Sequence, residues 1–231
     1  MSLPIFYEEV LPANGSFTLT EVTSRHIVQV LRMKPGSRIL LTNGNGQTHL
    51  SELTHIDKRE AVVHILSSTY IPKVPSELTI AISLTKNKSR FEWFLEKVTE
   101  IGVQRIIPLI SDRSEMESFR YERVHGILIS AMLQSQQAWL PALVQPIKFA
   151  ELITTSEQAN KFIAHCLEEV RRPLAEEVML PGDKIILIGP EGDFTGEEVA
   201  HAIEHNFLPV SLGANRLRTE TAGMAACVIL Q

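Results

Sequence analysis

Two short stretches hold the residues best suited to chemistry. The first, IGPEGDFTGEE, runs from Ile188 to Glu198. Gly189 and Gly192 permit close backbone approach or a positive φ, and Pro190 stiffens the turn. A glycine turn after an apolar run is where open α/β sheets receive nucleotides. Phosphate is nonetheless a poor match. Glu191, Asp193, Glu197 and Glu198 would repel it, no Gly-Lys-Ser/Thr follows, and no GxGxxG pattern is present. An adenosine that carries a positive group suits such a loop better. The plainer alternative is an ordinary strand-to-helix turn.

The second stretch, SLGANRLRTETAGMAA, spans Ser211 to Ala226. Gly213 ends an apolar run, and Arg216 and Arg218 follow it. Thr219 offers a capping hydroxyl to a helix whose start is favoured by Glu220. Ala222, Gly223, Ala225 and Ala226 keep that helix small, so another segment can come very close. Two cations just ahead of a helix start, beside a second glycine turn, read as a site. A tightly packed core helix is the structural alternative.

The elements that must position these loops alternate. LTIAISL, VQRIIPLI, KFIAHCL, KIILIG and LPVSLG are apolar runs of the kind that form buried parallel strands. Between them, SRFEWFLEKVTEIG puts Phe91, Phe94, Leu95, Val98 and Ile101 on one helical face, with Gly102 as a stop. YERVHGILISAMLQSQQAWL reads as one long helix over 121–140, and 195–206 and 218–230 as two more. Strands alternating with helices imply an α/β domain with a mostly parallel sheet. The first 70 residues differ. RILLTNGNGQTHLSEL has two strand-like runs around Asn43-Gly44-Asn45-Gly46, a hairpin signal, and EAVVHILSS supplies another strand. TSRHIVQVLRM reads as a short helix capped by Thr23 or Ser24. Pro72 and Pro75 mark a linker.

The 231 residues suit one large domain or two modest ones, and 44% of them are hydrophobic. The net charge of −5 argues against nucleic-acid binding through bulk charge. Residues 1–75 carry seven Lys/Arg against six Asp/Glu, so any contact with nucleic acid must come from local clusters. No stretch approaches about 18 uninterrupted apolar residues, and the start lacks the pattern of a signal peptide. Cys166 and Cys227 read as buried free thiols of a cytoplasmic protein, and no spacing suggests a metal.

IGPEGDFTGEEV together with LGANRLRTETAGMAA resembles the SPOUT-class RNA methyltransferases, in particular the branch that methylates N-3 of a uridine in 16S ribosomal RNA. The resemblance covers nearly the whole chain. HIVQVLRMKPG and TNGNG are similar to that family's PUA-like module. LTKNKSRFEWFLEKVTEIGVQRIIPLISDRSE and AMLQSQQAWLP are similar to its lysine-rich strand end, glutamate-rich helix, Arg-Ser turn and Glu-Gln-Ser-x-Arg segment. The resemblance implies a trefoil-knotted SPOUT α/β domain over 73–231 and a small PUA-like RNA-binding β-barrel over 1–72. It also implies S-adenosyl-L-methionine as cofactor, a homodimer, and 16S ribosomal RNA or the small subunit as partner. The cofactor would lie on Leu167, Ile188, Gly189, Pro190, Glu191, Gly192, Leu212, Gly213, Leu217, Arg218, Thr221 and Ala222. The sequence departs from the family in three places. Asp193 stands where the family has glycine, and Leu133 and Gln137 stand where it has glutamate and arginine.

Methylation at uracil N-3 requires that N-3 lose a proton and that negative charge on the flanking carbonyls be stabilised. Arg218, with Arg216 as second choice, is the charge-stabilising candidate. Glu220 either accepts the proton or orients Arg218, and a plain helix-start carboxylate is its structural alternative. Arg25, His26, Arg32, Lys86, Lys88, Arg90 and Arg113 are the candidates for gripping RNA. A methyltransferase for another RNA or base, and a catalytically idle RNA-binding or assembly factor, are the competing functions.

Overall fold

The computed structural model describes residues 3–57, 59–115, 119–167 and 171–231. The chain divides into two compact units, Met1–Lys73 with Met132–Leu140, and Val74–Ala131 with Pro141–Gln231.

In the first unit, β1 (Ile5–Tyr7), β2 (Ser16–Thr18), β3 (Arg38–Thr42), β4 (Gln47–Ile56) and β5 (Ala61–Tyr70) form a sheet in the order β1-β3-β4-β5-β2. β1 runs parallel to β3, and the other pairs are antiparallel. Period-two alternation turns Ile39, Leu41, Leu53, Ala61 and Val63 inward, where they meet Phe6, Leu19 and Ile27. The TNGNG hairpin forms as read, with Gly44 and Gly46 both at positive φ.

The helix here departs from expectation. α1 (Glu21–Arg25) is capped by Thr20, and a π-helical turn His26–Val30 follows it. Thr23 and Ser24 lie inside α1 and are buried. The reason is a long-range contact. The buried Glu8 carboxylate accepts hydrogen bonds from the Thr20 amide and from its hydroxyl, the latter at 2.9 Å. The Ser24 hydroxyl accepts from the Ala61 amide at 3.1 Å and so ties α1 to β5.

The second unit holds β6 (Leu78–Ser83), α2 (Lys88–Ile101), β7 (Arg105–Ile110), α3 (Tyr121–Gln134), β8 (Ala142–Leu143), β9 (Ile147–Lys148) and α4 (Phe149–Thr155). It continues with β10 (Asn160–Ala164), β11 (Arg172–Pro173), β12 (Lys184–Ile188), α5 (Gly196–Glu204), β13 (Leu208–Ser211) and α6 (Thr219–Leu230). The order β11-β13-β10-β12-β6-β7-β8 is parallel throughout, and β9 pairs with β7. Each expected buried strand is present. α2 ends where expected, at Gly102 with φ 102°. α3 stops at Gln134, earlier than the pattern suggested. Gln136 takes φ 57°, and Trp139 forms an isolated antiparallel bridge with Asn45.

α6 packs on α2 within the chain. A Cβ on Gly223 would stand 2.5 Å from the ring of Phe94, which is fully buried. The small residues of α6 therefore admit an aromatic side chain. Trp93 on α2 and Val228 on α6 are left exposed.

Candidate functional site

The strand order decides which loops meet. β13, β10 and β12 are neighbours, so the segments after their carboxyl ends converge at one edge of the sheet. They enclose a cavity of about 320 Å³. Ile188, Gly189, Pro190 and Glu191 line it from the loop after β12. Leu212, Gly213, Arg216, Leu217 and Arg218 line it from the loop after β13, and Ala222 from α6. These are expected residues. Leu167, Gly192 and Thr221 do not line it. Leu167 packs against the core cluster that contains Phe149 and Phe194, and the Gly192 carbonyl accepts from Arg113 Nη1 at 2.7 Å.

The first loop is built by short contacts. Gly189 sits in a tight approach, since a Cβ there would lie 3.2 Å from both the amide and the ring of Phe194. The positive φ falls on Asp193, at 63°. Its carboxylate accepts from the Phe194 amide at 2.8 Å and from the Cys166 amide at 2.7 Å. Asp193 thus joins the loop after β10 to the loop after β12, which glycine could not do. Glu198 is structural. It closes a capping box with Thr195 and accepts from the Asp112 amide at 2.9 Å. Of the four acidic residues read in this loop, Glu191 and Asp193 are the ones that face the cavity.

The second loop corrects a detail of the sequence reading. The cap position of α6 is Arg218, which makes no side-chain capping bond, and Thr219 is the first helical residue. Arg218 is extended there, its carbonyl accepts from the Ala222 amide at 2.7 Å, and its exposed side chain lines the cavity. Glu220 does not line that cavity. It is 7% exposed, and its Oε1 stands 3.7 Å from Arg90 Nε.

Lys86, Arg90 and Arg113 come together. With Asn87, Glu115, Glu191 and Gly192 they line an adjoining cavity of about 500 Å³, which shares Glu191 with the first. Lys86 pairs with Glu115 at 2.7 Å, and its amide donates to Glu191 at 3.2 Å. Lys88 lines a third cavity of about 640 Å³ with Phe91, Phe119 and the Arg123 side chain. Glu92 is held below the usual carboxylate range by its hydrogen bond to Arg123. Arg25, His26 and Arg32 belong to the first unit. Arg25 pairs with Glu21 at 2.8 Å on the same exposed helix face, His26 stands edge-on to Phe6, and Arg32 is exposed at φ 50°.

His165, Cys166, Arg171 and Asn215 also line the first cavity, and sequence reasoning missed them. Arg171 donates to the His165 carbonyl. For His165 and Cys166 the only signal was the apolar run ending in AHC, which gave no hint that its end adjoins IGPEG. The two cysteines also differ, against the expectation that both are buried. Cys166 is exposed and Cys227 is buried, and burial pushes the Cys227 thiol up to about 12. A thiol reagent at neutral pH should therefore label Cys166 alone in the folded protein, read by peptide mass spectrometry. Labelling of Cys227 under those conditions would contradict this packing.

The RNA methyltransferase domain matches residues 72–231, and the RNA methyltransferase PUA domain matches residues 19–66. This chain belongs to the RNA methyltransferase family. It is 28% identical to the ribosomal RNA small subunit methyltransferase E of Synechocystis sp. over 226 residues, covering 95% of this chain and 73% of that protein. A probable rRNA-methyltransferase from Porphyromonas gingivalis is 38% identical, with a TM-score of 0.91 over 98% of this chain and 96% of that one. The ribosomal RNA small subunit methyltransferase E of Neisseria gonorrhoeae, solved bound to S-adenosyl methionine, is 31% identical, with a TM-score of 0.86 over 100% and 97%. Among the described residues no helix is long and apolar enough to cross a membrane, and no cluster of His, Cys, Asp and Glu could hold a metal ion.

Proposed function

We propose that this RNA methyltransferase transfers a methyl group from S-adenosyl-L-methionine to N-3 of a uridine in 16S ribosomal RNA. The observation that carries the proposal is the cavity formed by three convergent loops within the matched methyltransferase region. Its residues suit this cofactor. Ile188, Val210, Leu212, Leu217 and Ala222 offer apolar walls for an adenine, and Gly189 lines the cavity with no side chain to fill it. Glu191 and Asp193 supply carboxylates that a cationic sulfonium can face, on a lining that also carries Arg171, Arg216 and Arg218. The cofactor, when bound, supplies an electrophilic methyl group. The chain's own part is to orient the uracil, stabilise charge on its carbonyls and keep water away. Arg218 is the group for the charge, with Arg216 behind it in rank, because both guanidiniums border the cavity.

The finer architecture belongs to the same proposal. Residues 73–231 are a trefoil-knotted SPOUT domain, and residues 1–72 are a PUA-like barrel that grips RNA through Arg25, His26 and Arg32. The enzyme acts in the cytoplasm as a homodimer, for which exposed Trp93 and Val228 offer apolar contact surface. Light scattering at micromolar concentration should give twice the chain mass of 25.9 kDa, and a monomer would refute the dimer.

The decisive experiment is nucleoside mass spectrometry of 16S ribosomal RNA from a strain lacking the protein. N-3-methyluridine should be missing and should return when the purified enzyme and S-adenosyl-L-methionine are added. Restoration of a different nucleoside would favour another target base. Binding of RNA with no methyl transfer would favour an assembly factor.

A further inference from the structure

Glu220 is a buried carboxylate that the cofactor cavity does not use. It is 7% exposed, Oε2 has no hydrogen-bond partner among the described residues, and Oε1 stands 3.7 Å from Arg90 Nε. Burying a carboxylate is costly unless a partner compensates it. Arg90 is that partner, and Arg90 is the more exposed of the two. Glu220 approaches the guanidinium from its Nε side. The Arg90 side chain borders the cavity of about 500 Å³ beside the glycine loop.

That cavity has the makings of a phosphate seat. Lys86, Arg90 and Arg113 line it together with Asn87. Two carboxylates also line it, but Glu115 is engaged by Lys86 at 2.7 Å, and Glu191 accepts from the Lys86 amide on the wall shared with the cofactor cavity. Arg113 is fixed through Nη1 to the Gly192 carbonyl at 2.7 Å. A phosphodiester held here would lie one wall away from the cofactor. A forked guanidinium anchored from behind meets a phosphate with two parallel donors, at a smaller entropic cost than an unanchored one.

We propose that the Lys86–Arg90–Arg113 cavity binds the phosphodiester of the nucleotide to be methylated, and that Glu220 is a positioning residue that acts through Arg90. This rests on the function proposed above and names how that site holds its RNA. Arg90 is the contact, and Glu220 touches neither RNA nor the cofactor.

The test uses the full-length protein, 16S ribosomal RNA from a strain lacking it, and S-adenosyl-L-methionine. A lost phosphate contact lowers affinity and also flattens the plot of log affinity against log salt, by about 0.7 to 0.9 per contact. Arg90→Gln should weaken RNA binding about tenfold and reduce that slope by roughly one contact. Glu220→Gln should raise the KM for RNA several-fold with kcat nearly unchanged. Because Arg90→Gln alone leaves a buried carboxylate without its partner, the double variant Arg90→Gln/Glu220→Gln removes both charges and keeps the test valid if the single variant unfolds. The double variant should bind RNA no worse than Arg90→Gln, since the two residues act as one unit. An unchanged salt slope in both Arg90 variants would overturn the phosphate seat. A Glu220→Gln enzyme with normal KM, a collapsed kcat and a lost acidic limb in its pH–rate profile would make Glu220 the proton acceptor and overturn its positioning role. Failure of the underlying function looks different, because wild-type protein would then bind RNA with a normal salt slope and transfer no methyl group.

Discussion

Replacing Arg218 with alanine should lower the rate of methyl transfer roughly a hundredfold or more, the scale of losing one oxyanion-type donor, or about 2.7–4 kcal/mol. The side chain is exposed, lines the cavity and makes no capping bond to α6, so its removal takes nothing from the helix. What Arg218 gives the helix start is its carbonyl, which alanine keeps. Cofactor affinity should stay within about twofold, because a sulfonium gains nothing from a nearby guanidinium. Arg218→Lys should restore little, since a point charge cannot present two forked donors to a planar base. Raising the pH should partly rescue the alanine variant, because more of the uracil is then already deprotonated. Single-turnover rates together with calorimetry of cofactor binding separate these outcomes. Normal turnover would move the role to Arg216. Loss of cofactor binding would place Arg218 in the cofactor's own shell.

Features that depend on a few neighbouring residues were legible in the sequence. The apolar runs that became β6, β7, β10, β12 and β13, the stop at Gly102 and the TNGNG hairpin all follow from local sterics and periodicity. Most of the lining of the 320 Å³ cavity was legible for the same reason, since glycine turns at strand ends shape such cavities. What was missed depends on contacts between distant residues. Thr20 caps α1 because Glu8 holds it, twelve residues away. His165 and Cys166 join the cavity because β10 lies between β13 and β12, an order that no local pattern encodes. Glu220 was read beside Arg218, its neighbour in sequence, but it faces Arg90 across the α2–α6 packing. The long helix was continued to residue 140 because its apolar content runs on, whereas Gln136 turns the chain and Trp139 bridges Asn45.

The same long-range contact makes Gly46 a sensitive position of the first unit. Its φ is 82°, where an L side chain is strained by about 1–3 kcal/mol. Its amide donates to the Ala138 carbonyl at 2.8 Å, and its carbonyl accepts from the Ile71 amide at 2.8 Å. A Cβ would lie 2.6 Å from the Ile71 carbonyl oxygen and 2.6 Å from the Trp139 ring. That ring cannot simply turn aside, because its Nε1 donates to the same Ile71 carbonyl at 2.9 Å. Overpacking of this kind adds about 1–3 kcal/mol. Gly46→Ala should therefore cost roughly 2–6 kcal/mol, a large share of the stability of a small unit. Gly15 supplies the control. It has nearly the same φ, 87°, but nothing within 4 Å of its would-be Cβ. Gly15→Ala should cost the backbone strain alone, about 1–3 kcal/mol and less than Gly46→Ala by the overpacking share. The chain has two tryptophans, so in a Trp93→Phe background the fluorescence of Trp139 reports urea unfolding of the first unit. Cofactor affinity measured well below the transition should be unchanged in both glycine variants, because every residue of the 320 Å³ cavity comes from the second unit. Equal costs for the two substitutions would mean that Trp139 and Ile71 yield freely, and that the hairpin glycine serves only the turn.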